Sequence, residues 1–255
     1  MLKKIKQYRF LFEELVKRDF TKKYKRTILG MLWSVLGPLM TLAVMAVVFT
    51  QFFGHDTPHY VIYLFCGNLV YSYYREATST GMTSLKDNAS IFSKVNVPKY
   101  MFLLSKNVST LINFGLNIIV LFIFVLIDGL PITWKFILLI YPIACLIVFN
   151  LGVGLILSAL YLMFRDIKYL YDVFTLMLMY LSAIFYNVNA YSPEIQQLFN
   201  LNPVYVYIRY FRTIIIDGNI PTLGLHIIAA VYAALVLGIG ALVYKKKNYK
   251  FLYYI

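Results

Sequence analysis

Long apolar runs without charge alternate along this chain with short basic segments. The uncharged runs cover residues 27–55, 107–127, 136–164, 173–193 and 218–244; a shorter one, residues 57–74, continues past an Arg75-Glu76 pair. At about 1.5 Å of rise per residue, roughly 20 helical residues cross a hydrocarbon core about 30 Å thick. The pattern predicts an all-α integral membrane protein, a single transmembrane domain over 1–255. Its six transmembrane helices are expected near 30–53, 60–84, 101–126, 136–164, 169–187 and 223–244. Pro38 inside the first predicts a kink there.

Three segments between the spans have patterns of their own. In residues 1–29, Ile5, Tyr8, Phe12, Leu15, Val16, Phe20 and Tyr24 recur three or four apart, with most lysines off that stripe. This predicts an amphipathic helix lying in the cytoplasmic interface rather than a solvated basic tail. Residues 85–100, LKDNASIFSKVNVPKY, are amphipathic but too polar to insert, and form a cytoplasmic connector. Residues 188–222 contain Pro193, Pro203 and Pro221 and two uncharged runs too short to cross. Two re-entrant half-helices are expected, which need protein or water cover at membrane depth; the alternative is an amphipathic pair on the outer surface. Small residues four apart, Gly154 with Ser158 and Ala230 with Ala234 and Gly238, mark ridges for close helix packing.

The charge distribution orients these spans. The net charge is +13, with ten Lys/Arg in residues 1–26, five in 75–106, two in 165–168 and four in 245–250. Only Lys135, Arg209 and Arg212 lie elsewhere. Basic segments stay cytoplasmic, so both termini are placed inside a cytoplasmic membrane. The charge then serves topology and anionic membrane lipid, not nucleic acid. Cys66 and Cys145 are isolated in apolar stretches and read as small apolar fillers. The basic start is too long for a signal-peptide n-region and no short apolar core with a cleavage site follows, so no cleavable leader is expected.

The candidate chemistry is sparse. No GxxxxGK[ST] phosphate loop occurs, so ATP hydrolysis by that route is not expected of this chain. His55 and His59 are four apart, but Pro58 sits between them in a short loop, and no metal site is expected. Ion coupling needs acids or bases deep in the bilayer, and only Arg75 and Glu76 qualify. Adjacent helical residues point about 100° apart, so each needs another partner; they line a pathway or snorkel to cytoplasmic water. The aromatic load is heavier: 23 Tyr, 20 Phe and 2 Trp. Interfacial belts account for about half. Yet Tyr71, Tyr73 and Tyr74 cluster on the second span, Tyr180, Phe185, Tyr186 and Tyr191 on the fifth and its exit, and Tyr205, Tyr207, Tyr210 and Phe211 in the Pro-broken region. A Tyr ring offers an apolar face and a hydroxyl, which suits a sugar.

The order of parts resembles the permease subunit of bacterial ABC polysaccharide exporters, which move lipid-linked O-antigen, teichoic acid and related glycans. The residues that carry the resemblance are Lys17-Arg18-Asp19-Phe20, then Tyr24-Lys25-Arg26-Thr27-Ile28-Leu29-Gly30-Met31-Leu32-Trp33, then Ser93-Lys94-Val95-Asn96-Val97-Pro98-Lys99, Phe164-Arg165-Asp166-Ile167 and Asn202-Pro203. Gly37-Pro38 stands where the family often has Asn before Pro. The resemblance implies a homodimer of permeases working with two copies of a separate P-loop ATPase, which would bind the ATP and Mg; this chain itself would hold no cofactor and catalyse nothing. It implies an ATPase-coupling helix at Asn88, Ile91, Phe92, Lys94, Val97 and Pro98, with a second contact at Arg165 and Asp166. It implies a gate at the N-terminal helix, through Phe12, Phe20 and Tyr24. It also implies a conduit along the first and fifth spans; together with the tyrosines of the second this gives Trp33, Tyr71, Tyr74, Tyr180, Phe185 and Tyr186. Six helices about 10 Å wide cannot both pack together and ring a glycan, whereas twelve can. The rivals are the same machinery with a drug, small lipid or ion as cargo, and a membrane glycosyltransferase, which would need clustered acids that the eleven scattered Asp/Glu do not supply.

Overall fold

The computed structural model describes residues 8–25, 27–53, 57–248 and 251. The described secondary structure is helical throughout: α1 (Arg9–Tyr24), α2 (Trp33–Phe53), α3 (Tyr60–Asp87), α4 (Ala89–Phe92), α5 (Tyr100–Ile127), α6 (Ile140–Met163), α7 (Ile167–Leu181), α8 (Pro193–Phe199), α9 (Pro203–Ile215) and α10 (Leu223–Lys247). Single 3₁₀ segments lead into α2 and α6 and follow α7. Central to the bundle is α3, which packs against α2, α5, α6 and α9, while α10 closes against α6.

Four segments are long and apolar enough to cross a bilayer: Gly30–Gln51, Tyr100–Ile127, Trp134–Met163 and Leu223–Lys247. The other two expected spans differ for separate reasons. Helix α3 runs unbroken for 28 residues, about 42 Å, but Asn68, Ser72, Arg75, Glu76 and Thr80 are spread along it, and it lacks a stretch as apolar as those four segments. Helix α7 has only 15 residues, about 22 Å. It stops at Leu181, before the expected end near 187, and the chain turns through Ala183 in the left-handed region (φ 50°).

Arg212 explains that break. Its guanidinium is buried and donates to Ala183 O (2.9 Å), Ile184 O (3.1 Å) and Tyr63 O (3.1 Å from Nη2), and lies 3.3 Å from the Tyr63 ring centroid. Carbonyls freed by the end of a helix need donors at this depth, and one fork supplies several. Gly67 leaves the room: a Cβ there would come 2.9 Å from Arg212 Nη2. Asn202 finishes the turn. Its amide oxygen caps α9 by accepting from the Val204 N–H (3.0 Å), and its Nδ2 donates to Leu181 O (3.1 Å). The Asn-Pro pair therefore starts one short helix and closes another.

The carbonyl left without its helical donor by Pro38, inside α2, is satisfied in the same manner. Proline has no N–H for the carbonyl four residues earlier, that of Ser34. Asn117 of α5 donates its Nδ2 there instead (3.3 Å). The small-residue ridge on α10 lies on a different face from the one expected. Leu225, Ala229, Ala233, Gly240 and Tyr244 are buried, whereas Ala234 and Gly238 are exposed. The close approach is between Gly240 and Gly152, where a Cβ on Gly240 would lie 2.4 Å from Gly152 O.

Candidate functional site

At the basic end of the bundle the segment from Asn88 to Lys99 is rooted by three inward side chains. Asn88, Phe92 and Val97 are buried. Asn88 donates to Ser84 O (2.8 Å) and accepts from Arg18 of α1 (2.8 Å). Phe92 packs on Phe102 (5.9 Å between centroids) and under the Lys99 ammonium, which also covers Phe251. That burial pushes the Lys99 amine below the usual lysine range. The segment turns Ser90, Lys94, Val95 and Asn96 outward, with Val95 54% exposed, while Ile91 and Pro98 are half-buried. Of the coupling residues expected from sequence, then, Lys94 faces out and Asn88, Phe92 and Val97 anchor. Arg165 and Asp166 sit in the exposed turn into α7.

Helix α1 lies across α5, with Leu15 buried and Phe12 and Phe20 half-buried; the Tyr24 side chain is outside the described residues. Its stripe also includes an acid. Asp19 is buried, pairs with Arg18 (2.8 Å) and Lys106 (3.4 Å), and accepts from Ser105 (3.4 Å). One residue apart, Arg18 and Asp19 thus connect α1 to the segment from Asn88 to Lys99 and to α5.

Glu76 finds its partner in the same helix: Lys23 Nζ lies 2.6 Å from Glu76 Oε1. Around it runs a polar seam. Asn68, Ser72, Glu76 and Thr80 recur four apart on α3, one face of the helix. Facing them on α5 are Thr110, Asn113 and Asn117, the last beside Pro38. Two cavities follow this seam, one of about 540 Å³ under α1 and one of about 60 Å³ deeper in; Glu76 and Thr110 line both. The seam's acids are paired, Glu76 with Lys23 and Asp19 with Lys106, but Lys22 also lines the larger cavity, whose described wall carries three ammonium groups against two carboxylates. The deeper cavity is lined mostly by amides, hydroxyls and rings, which suit water and neutral hydroxyls.

The aromatic conduit candidates divide. Tyr71, Tyr74 and Phe185 are buried. The Tyr71 hydroxyl donates to Thr175 O (2.7 Å), Tyr74 meets Tyr171 (3.2 Å), and Phe185 stacks on Phe49 (4.5 Å). Trp33 and Tyr180 are exposed, and the Tyr186 hydroxyl reaches back to Tyr180 O (2.9 Å). His59 pairs with Asp128, and His55 lies outside the described residues.

The profile of the ABC-2 type transporter family matches residues 11–216, from α1 to just past α9. The chain belongs to the ABC-2 type transporter membrane family. It is similar to the O-antigen export system permease protein RfbA of Myxococcus xanthus, 24% identical over 225 residues that cover 87% of this chain and 86% of that protein. Two permeases of the same name from Klebsiella pneumoniae are 24% and 23% identical over 249 residues, 95% of each chain.

For an ABC-2 membrane chain the informative residues are therefore polar ones within the spans. The sequence reading passed over the ladder on α3 because it sought charges and aromatics. Its signal was present, however, in the four-residue spacing of Asn68, Ser72, Glu76 and Thr80. Arg212 carried a signal too, as one of the three Lys/Arg that lie outside the basic segments.

Proposed function

We propose that this chain is the transmembrane subunit of an ATP-driven exporter that moves a lipid-linked glycan, of the O-antigen or teichoic acid kind, across the cytoplasmic membrane. Two copies pair, and each couples to a P-loop ATPase that holds the nucleotide and its Mg. In this reading α3 and α7 are the second and fifth of six crossings, α8 and α9 are the re-entrant pair, and both termini are cytoplasmic. Family membership gives the transporter class, and the permease names of the relatives point to glycan.

The observation that carries the reading is the rooted segment from Asn88 to Lys99. A surface loop without a role needs no buried Asn, Phe and Val to hold it. This one is fixed from below, and its exposed Val95 lies between Lys94 and Asn96 as an apolar point for a partner's groove. Through Arg18 the same anchor reaches α1, so a push on the segment moves the helix that covers the 540 Å³ cavity. The exposed apolar faces of α2 (Met40, Val44, Val47) and α7 (Leu170, Val173, Met177), joined by the Phe49–Phe185 stack, are the surfaces for the second copy. A drug or small lipid is the alternative cargo.

The test is co-purification with the ATPase encoded beside this chain, followed by glycan-stimulated ATP turnover in lipid. Val95→Asp should abolish co-purification while the chain still folds, since the side chain is exposed. Retention of the ATPase by that variant would remove the docking role of the segment.

A further inference from the structure

Only three Lys/Arg lie outside the basic cytoplasmic segments, and the structure gathers all three at one place. Arg209 and Arg212 line a single cavity of about 310 Å³ at the Tyr60 end of α3, the end remote from Lys245–247. The third, Lys135, donates to Gly218 O (2.6 Å), next to Asp217 on the same cavity. In a membrane protein whose positive charge is otherwise held inside, cations on the far side need a reason.

Arg212 is buried, and its partners are carbonyls and a ring; among the described residues it has no carboxylate within 4 Å. Those bonds use four of its five N–H donors, and the remaining one is on Nη1. A buried cation without a counter-charge is costly. Arg209 is exposed and bonded to neutral Asn200 (3.1 Å). Asp217 is the single acid among the described residues of the lining, which hold two guanidiniums against one carboxylate. The rings of Tyr63 and Tyr205 and the amide of Asn187 complete it. Asn187 uses its oxygen to accept the Asn189 N–H (3.0 Å), which leaves its two amide hydrogens for a ligand.

Aromatic rings, an amide and excess guanidinium are the groups that hold a sugar bearing an acid, and the volume takes about one such unit. We infer that this cavity is an extracytoplasmic subsite for an anionic sugar unit, one carrying a carboxylate or a phosphate. The inference rests on the glycan-export reading and its topology, and it deepens them. The cargo has an acidic repeat, and this subsite draws each emerging acidic unit to the outer mouth. Arg209 supplies the accessible charge, Arg212 the fixed one, and Asp217 keeps the affinity low enough for release.

The experiment is calorimetric titration of the purified full chain in neutral detergent with trigalacturonate, glucose 6-phosphate and maltotriose. Both anionic probes should bind and maltotriose should not, and the tighter of the two identifies the acid as carboxylate or phosphate. Arg209→Gln should weaken the anionic probe about tenfold, the effect of one charge-assisted bond. Asp217→Asn should tighten it. Both substitutions are at exposed positions, so folding is preserved, and opposite shifts cannot come from general damage. Equal binding of maltotriose, no binding of either anion, or an unchanged Arg209→Gln would overturn the subsite. Failure of ATPase co-purification would instead overturn the export reading, whatever the sugars do.

Discussion

Helices α7 and α9, with the short α8 between them in sequence, are similar in length and both rich in aromatics, yet they are used in opposite ways. Ten of the 13 residues of α9 are buried, against three of the 15 in α7. The three on α7, Tyr171, Thr175 and Leu178, make one narrow stripe, and most of its other residues are exposed. Helix α9 holds the polar hardware instead, with Asn202 at its start and Arg212 near its end, each bonded to carbonyls of the break after α7. Apolar character does not separate the two helices. What separates them is where polar groups find partners, because in a bilayer an unpaired backbone group costs several kcal/mol. One helix is structural, then, and the other presents a surface.

The comparison breaks most visibly at Arg212. Arg212→Met removes a donor fork and leaves the Ile184 carbonyl without its donor and that of Ala183 with only the Tyr63 hydroxyl at 3.4 Å. A loss of roughly 1–3 kcal/mol is expected for each buried carbonyl so left, besides the lost contact with the Tyr63 ring. It would appear as loss of monodisperse protein in detergent. Arg212→Lys should not restore it, since a point charge cannot reach the same carbonyls at once. A folded, monodisperse Met variant would show that α9 is dispensable to the break. A smaller effect is expected from Gly67→Ala, whose Cβ would come within 2.9 Å of Nη2 and 3.2 Å of Ile184 Cγ2. Overpacking of this kind costs about 1–3 kcal/mol, read as a lower midpoint of thermal unfolding.

The sequence made α9 and α7 hard to tell apart, and the reason is physical. Charge-free length identifies spans, and it located the four segments that are apolar along their whole extent. Spacing of apolar residues three or four apart, not length, placed the N-terminal helix, whose stripe of Phe12, Leu15, Val16 and Phe20 turns toward α5. Length could not predict that α7 stops at Leu181, because the stop depends on Arg212, thirty residues further on. Nor could an apolar stripe announce that Asp19 belongs to it, since its partners Lys106 and Ser105 come from another helix. Tyr71 and Tyr74 read as conduit candidates by type. Their hydroxyls are instead committed to Thr175 O and Tyr171, a fact of packing rather than of composition.

The smallest effect on stability, and the sharpest on function, is expected on α7. Tyr180 is 55% exposed, and its ring lies 6.0 Å from that of Phe185 between centroids. The bond it shares with Tyr186 uses its backbone carbonyl, which survives any substitution. Tyr180→Ala should therefore change stability by no more than about 0.5 kcal/mol. If α7 faces the cargo path beside a second copy, the same change lowers glycan export and leaves ATP turnover by the partner intact. Tyr180→Phe then separates the ring from its hydroxyl: export restored by Phe assigns the role to the apolar face, and export still low assigns it to the O–H. If α7 only meets lipid, both variants export like the parent chain, because acyl chains do not distinguish Ala from Phe or Tyr in this way. A destabilised Tyr180→Ala, by contrast, would mean that α7 is packed as α9 is, and the distinction between the two helices would fall.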